Sequence, residues 1–181
     1  SCYNNDYCAS NSCVNHVCQP VVIDDYCPNA RVVVGPYGFE NNINGWESEQ
    51  SDGAMVTLQH ETFILNGALR VDCSSGPSPA FHECQAKFLT RNLVPGRMYR
   101  VSFDACALWF DRVDTVQVIQ NVPNWDDGGL TSAVPLTLDL QHFEYMFTAR
   151  AISAPDYRLS FNLGAEDGAA IFDNVVVEEC N

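Results

Sequence analysis

MYRVSFDACA, residues 98–107, alternates without a break: Tyr99, Val101, Phe103 and Ala105 fall on one face and Arg100, Ser102, Asp104 and Cys106 on the other. A period of two residues marks a strand with one buried face, because successive side chains leave a pleated backbone on opposite sides. YRLSFNLG (157–164) repeats the pattern with Tyr157, Leu159, Phe161 and Leu163. In TFILNGALRV (62–71), Asn66-Gly67 lies between two strand-like halves, and both residues tolerate positive φ, which predicts a hairpin. Further strands are predicted at 84–91, 113–120, 142–149 and 169–178, with turns at Val94-Pro95-Gly96 and Asp127-Gly128-Gly129. No stretch sustains a 3.6-residue period. Eight or more strands without alternating helices predict an all-β fold, an antiparallel β-sandwich.

The chain has 181 residues, 46% of them hydrophobic, enough for one domain with a real core and a small appendage. Lys and Arg number 9 against 23 Asp and Glu, a net charge of −14. Such a chain repels nucleic acid and anionic membrane, so neither is expected as a partner. No apolar run approaches the roughly 18 residues of a membrane span, and Ser1 opens a polar stretch, which reads as a processed, soluble chain.

Nine cysteines argue for disulfides made in an oxidising compartment, hence for secretion. Zinc is disfavoured because no Cys-x-x-Cys occurs. Residues 1–20, SCYNNDYCASNSCVNHVCQP, hold four cysteines, no lysine or arginine and few large aliphatics. They cannot build a core and must be held by cross-links. Residues 21–30 read as a linker and 31–181 as the sandwich. The spacing C-x5-C-x4-C-x4-C resembles small two-disulfide hooks of secreted eukaryotic proteins. That resemblance implies Cys2–Cys13 and Cys8–Cys18, although the sequence alone allows three connectivities.

Phe39-Glu40 followed by Gly45-Trp46, then NLVPGRMYRVSFDACA, HFEYMFTA and RLSFNLGAEDGAAIFDNVVVEE, occur in the order of the jelly-roll carbohydrate-binding modules of the family 4, 9 and 22 type. The sequence resembles these modules over roughly residues 33–179. The opening differs, reading Pro36-Tyr37-Gly38-Phe39-Glu40 where the family has Asn-Gly-Asp-Phe-Glu. The resemblance implies a jelly roll and a noncatalytic polysaccharide-binding role toward β-glucan or xylan. It also implies a structural calcium at Glu40 and Asp173, with Asp72 as an additional ligand.

Sugar recognition in water needs flat apolar faces for pyranose C–H patches and planar polar side chains for hydroxyls. Trp125 sits in the polar, turn-rich NVPNWDDGG, where an aromatic has little local reason to be core. The resemblance implies a groove arginine at Arg112 and a groove glutamine at Gln85, with an aromatic at Phe81 or His82. Gln117 and Gln120 lie on opposite faces of one strand, so at most one faces a groove; Gln120 is taken as the candidate. Each has a plainer reading. Arg112 could simply pair with Asp111 or Asp114, Trp46 reads as core, and Trp109 with Phe110 is either a sugar platform or a buried strand end.

Catalysis finds no support. There is no Gly-x-Ser-x-Gly, the pairs His60-Glu61 and His82-Glu83 lack a second histidine, and among 23 acids any glycosidase pair would be arbitrary.

In a jelly roll the terminal strands are neighbours, so Cys27 and Cys180 should bridge. Cys73 ends one strand and Cys84 opens the next, which suits a second bridge. Cys106 is left over, either a buried thiol packed against the other sheet or a thiol available to another chain. Self-association through the Cys-rich arm, as in an extracellular assembly protein, is the rival expectation to glycan binding.

Overall fold

Strand alternation carries through the computed structural model, which describes residues 13–14, 17–18, 27, 29–43, 45–63, 65, 67–74, 76, 80–90, 93–121, 124–154 and 156–180. The described strands are β1 (Cys13–Val14), β2 (Val17–Cys18), β3 (Arg31–Tyr37), β4 (Trp46–Gln50), β5 (Met55–Glu61), β6 (Ala68–Ser74) and β7 (Cys84–Thr90). They continue with β8 (Met98–Ala107), β9 (Arg112–Gln120), β10 (Asp127–Leu136), β11 (Gln141–Thr148), β12 (Tyr157–Asn162) and β13 (Gly168–Cys180). Among the described residues there is no helix. One sheet runs β10-β9-β12-β7-β4; the other runs β11-β8-β13-β6-β5, with β3 also paired to β13. Every pairing is antiparallel, and the two sheets form a jelly-roll sandwich.

The core sits where the two apolar faces meet. Tyr99, Val101, Phe103 and Ala105 of β8 are fully buried, as their alternation requires. Phe161 of β12 stacks on Trp46 of β4 at 5.4 Å and on Phe172 of β13 at 4.1 Å, and meets Phe103 edge-on at 4.8 Å. This aromatic column ties one sheet to the other. Each such burial contributes about 1.5–3 kcal/mol, and the ring geometry adds somewhat more. Trp46 is therefore a core residue.

Two sequence expectations fail locally. β5 and β6 do pair, but their last partners are Glu61 and Ala68, so the loop between them is longer than the expected two-residue turn. Leu65 of that loop packs with Leu108 on Ala68, Cys106 and Ile171, a small apolar cluster on the outer face of the six-stranded sheet. Gly67, at φ 112°, passes so close to residue 40 that a Cβ would lie 2.4 Å from Glu40 Cα. Asp127-Gly128-Gly129 is likewise no turn. It begins β10 through a register shift between Asp127 and Leu130, a bulge that Gly129 enters at φ 114°.

Cys27–Cys180 and Cys73–Cys84 are disulfides with Cα separations of 4.5 and 5.8 Å. The first links residues 153 apart in sequence and fastens the start of the sandwich to its last strand. Cys106 is a buried free thiol, though not against the other sheet: strand parity puts it outside, and the Leu65 loop covers it. The pairings Cys2–Cys13 and Cys8–Cys18 lie outside the described residues.

Candidate functional site

Because Tyr157, Leu159 and Phe161 fill the core, the alternate residues of β12, Arg158, Ser160 and Asn162, lie on the outer face of the five-stranded sheet. Antiparallel register extends that face into cross-strand rows. Glu49, Gln85, Asn162 and Thr115 form one row; Glu47, Lys87, Ser160, Gln117 and Thr131 the next; Leu89, Arg158 and Ile119 a third. The first and third rows are four residues apart along the strands, about 13 Å.

Two loops rise beside these rows. The β6–β7 connection brings Phe81 and His82, whose rings meet edge-to-face at 5.3 Å. It is tied down by the Cys73–Cys84 bridge and by the buried Glu83, whose carboxylate accepts the Gly76 N–H at 2.9 Å. The β9–β10 connection brings Trp125. Together they bound a cavity of about 480 Å³, lined on its floor by Glu49, Gln85, Gln117, Ile119 and Arg158 and at its margins by Ser51, Asp52, Phe81, His82 and Trp125. The volume is in the range of small-ligand sites.

Trp125 is the unusual residue. Its φ of 57° is left-handed, a conformation that bulky side chains adopt only when the surroundings impose it. The Arg158 guanidinium lies 4.3 Å from its ring centroid, a cation–π contact, yet the residue stays 44% exposed. One ring face is thus occupied from within.

Arg158 is buried and donates to Glu49 Oε2 at 2.8 Å and to Gln85 Oε1 at 2.6 Å. Lys87 reaches the same Glu49 oxygen at 2.6 Å. Burial works against ionisation of Glu49, but the Lys87 hydrogen bond and the Arg158 and Lys87 charges outweigh it and hold the carboxyl below its usual range. Burial also pulls the Arg158 guanidinium below its ordinary value, against the Glu49 charge. Asn162 Nδ2 donates to Gln117 Oε1 at 2.7 Å. Arg158 Nε, Ser160 Oγ and Asn162 Oδ1 are buried with no hydrogen-bond partner among the described residues. An exposed indole beside planar amides and unpaired polar atoms is chemistry suited to a neutral polyhydroxylated ligand.

Of the residues expected from sequence, Trp125, Gln85 and Phe81 line this cavity. Arg112 does not. It shares parity with the core residues Val116 and Val118, is 4% exposed, and pairs with Asp114 at 2.7 Å while donating to the Leu163 carbonyl at 2.8 Å. Gln120 is misplaced for the same reason of parity: it is fully buried, and its amide oxygen accepts from Ser153 at 2.8 Å. The glutamine that faces the cavity is Gln117. Trp109 is 59% exposed but stands in the β8–β9 connection, at the far end of β9 from Trp125, about 26 Å along the strand. Arg158 and Glu49 were not singled out from sequence. The signal for Arg158 was present, because the apolar face of 157–164 leaves it on the polar one.

The charge of Glu40 acts on Asp173. Burial raises the Asp173 carboxyl first, and the charges of Asp104 and Glu40 add to the shift. Asp173 stands at a register shift between Asp173 and Val176, a bulge in the ladder. Carboxylate and carbonyl oxygens are the ligand set of a hard cation. Asp72 does not join them: it pairs with Ala169, four residues along β13 from Asp173, and takes two hydrogen bonds from Arg70 at 2.8 and 2.6 Å. Among the described residues, no group of three or more His, Cys, Asp or Glu is arranged to hold a metal.

No protein-family model and no curated protein matches the chain. Solved structures do, several carbohydrate-binding modules among them, alongside parts of enzymes such as the bacteriophage CBA120 tailspike protein 4 enzymatically active domain and the MgGH51 α-L-arabinofuranosidase. A CBM4 structure is 25% identical, with a TM-score of 0.64 over 74% of this chain and 86% of its own. The N-terminal cellulose-binding domain of Cellulomonas fimi β-1,4-glucanase C is 22% identical, with a TM-score of 0.61 over 83% and 97%. The CBM22-1 xylan-binding domain of Paenibacillus barcinonensis Xyn10C is 11% identical, with a TM-score of 0.58 over 84% and 96%. The chain thus has the jelly-roll fold of these carbohydrate-binding modules.

Proposed function

We propose that this chain is a secreted, noncatalytic module that docks a polysaccharide of the β-glucan or xylan class across the outer face of the five-stranded sheet. The observation that carries this reading is Trp125, held left-handed and exposed, with Arg158 under one ring face and a polar floor beside it. A sugar ring stacks on the free indole face. Gln85 and Gln117 bond its hydroxyls, and Phe81 bounds the other side. The glycan runs across the strands along the rows, between the two loops. Two disulfides support an oxidising, extracellular setting. Calcium, held by Glu40 and Asp173, is a structural partner in this reading.

Affinity electrophoresis in gels containing laminarin, barley β-glucan or xylan tests it. The chain is expected to be retarded by at least one of them while running as a monomer in their absence. Unretarded migration in all three would overturn the reading.

A further inference from the structure

We propose that Ser153 is the positioning residue that holds Trp125 in its left-handed, groove-facing conformation. The inference rests on the glycan-binding reading and concerns residues that do not touch the ligand. Ser153 lies in the β11–β12 connection, far in sequence from Trp125, yet it is bonded to three residues around it. Its Oγ accepts from Asn124 Nδ2 at 2.9 Å and lies 2.8 Å from Gln120 Oε1 and 2.7 Å from Asp126 Oδ2. A hydroxyl has one hydrogen, so it donates to one of these two oxygens at a time. The Ser153 backbone N–H lies 2.9 Å from the same Asp126 oxygen and 3.2 Å from Gln120 Oε1. Asn124 and Asp126 are the immediate neighbours of Trp125, and the Gln120 N–H donates to the Asp126 carbonyl at 2.8 Å, closing the loop.

The arrangement explains how a tryptophan keeps a backbone conformation that bulky side chains rarely adopt. Both flanking side chains are fixed to one hydroxyl, and that hydroxyl is fixed to the buried Gln120 at the end of β9. The two Ser153 hydrogen bonds hold the Asp126 carboxyl below the usual carboxylate range, so the acceptor is charged at neutral pH. Gln120, expected from sequence to face the glycan, acts in this arrangement as the anchor of the loop that does.

The test uses the full chain labelled with 5-fluorotryptophan, whose three tryptophans give three fluorine signals, that of Trp125 being identified by its loss in Trp125→Phe. In Ser153→Ala the Trp125 signal should shift or broaden while those of Trp46 and Trp109 stay. Affinity for whichever of laminarin, barley β-glucan or xylan binds the wild type should fall about tenfold. Ser153→Thr, which keeps the hydroxyl, should restore both. A Trp125 signal unmoved in Ser153→Ala overturns the proposal, and so does a moved signal with unchanged affinity. If the wild type binds none of the three, the glycan reading itself fails and the positioning role falls with it, a result recognisable from the wild type alone.

Discussion

Arg112 and Arg158 stand on adjacent strands of one sheet, each paired with a carboxylate at under 3 Å, and they do opposite things. Arg112 turns toward the core, where it holds Asp114 and the carbonyls of the β12–β13 turn. Arg158 turns outward, where it holds Glu49, Gln85 and the underside of Trp125. The chemistry is the same; strand parity alone assigns one to structure and the other to the cavity. Buried guanidinium–carboxylate pairs therefore say little about function until the side of the sheet is known.

The largest expected effect breaks the structural pair. Arg112→Met leaves Asp114 buried without its counter-charge and should cost about 3–5 kcal/mol in denaturant unfolding, with glycan affinity of the folded protein unchanged. Arg112→Met with Asp114→Leu should recover most of the loss.

The two carboxylates should also separate by pH. Burial raises Asp114 to about 6 despite Arg112, from a usual value of 3.8. A raised carboxyl binds its proton more tightly in the folded state, so its ionisation costs stability as pH rises from about 4 to about 6. The difference in unfolding free energy, wild type minus Asp114→Asn, should therefore fall by about 3 kcal/mol over that window. Glu49 is shifted down, so its contribution is present above the unfolded value and lost as pH falls through the folded one. Wild type minus Glu49→Gln should thus move with the opposite sign, and matching signs would erase the distinction.

Calcium offers a smaller check on the face opposite the cavity. At a hundredfold excess over its dissociation constant it should stabilise by about 2.7 kcal/mol, seen as a raised melting temperature. Glu40→Gln and Asp173→Asn should each abolish that increment without altering glycan affinity at saturating sugar. A melting curve unmoved by chelation contradicts the metal assignment.

The limits of the sequence follow the same parity. MYRVSFDACA and YRLSFNLG have one purely apolar face, so their orientation was readable, and with it the sandwich. RVDTVQVIQ (112–120) carries polar and apolar residues on both faces: Arg112, Asp114, Val116, Val118 and Gln120 on one, Val113, Thr115, Gln117 and Ile119 on the other. Only packing against the second sheet decides which set is inside. Trp125 was legible because its loop offers nothing to bury it against. The Leu65 loop was not, since nothing in TFILNG announces the Ala68, Cys106 and Ile171 patch that it covers.

The two exposed tryptophans stand apart, Trp125 beside the cavity and Trp109 at the other end of β9. Calorimetric titration of the retarding polysaccharide into wild type, Trp125→Ala and Trp109→Ala tests directly which of the two stacks on sugar. A stacked sugar face is worth on the order of 1 kcal/mol or more, so Trp125→Ala should weaken binding about tenfold and Trp109→Ala should leave it within about twofold. Unchanged affinity in a folded Trp125→Ala variant would contradict the account.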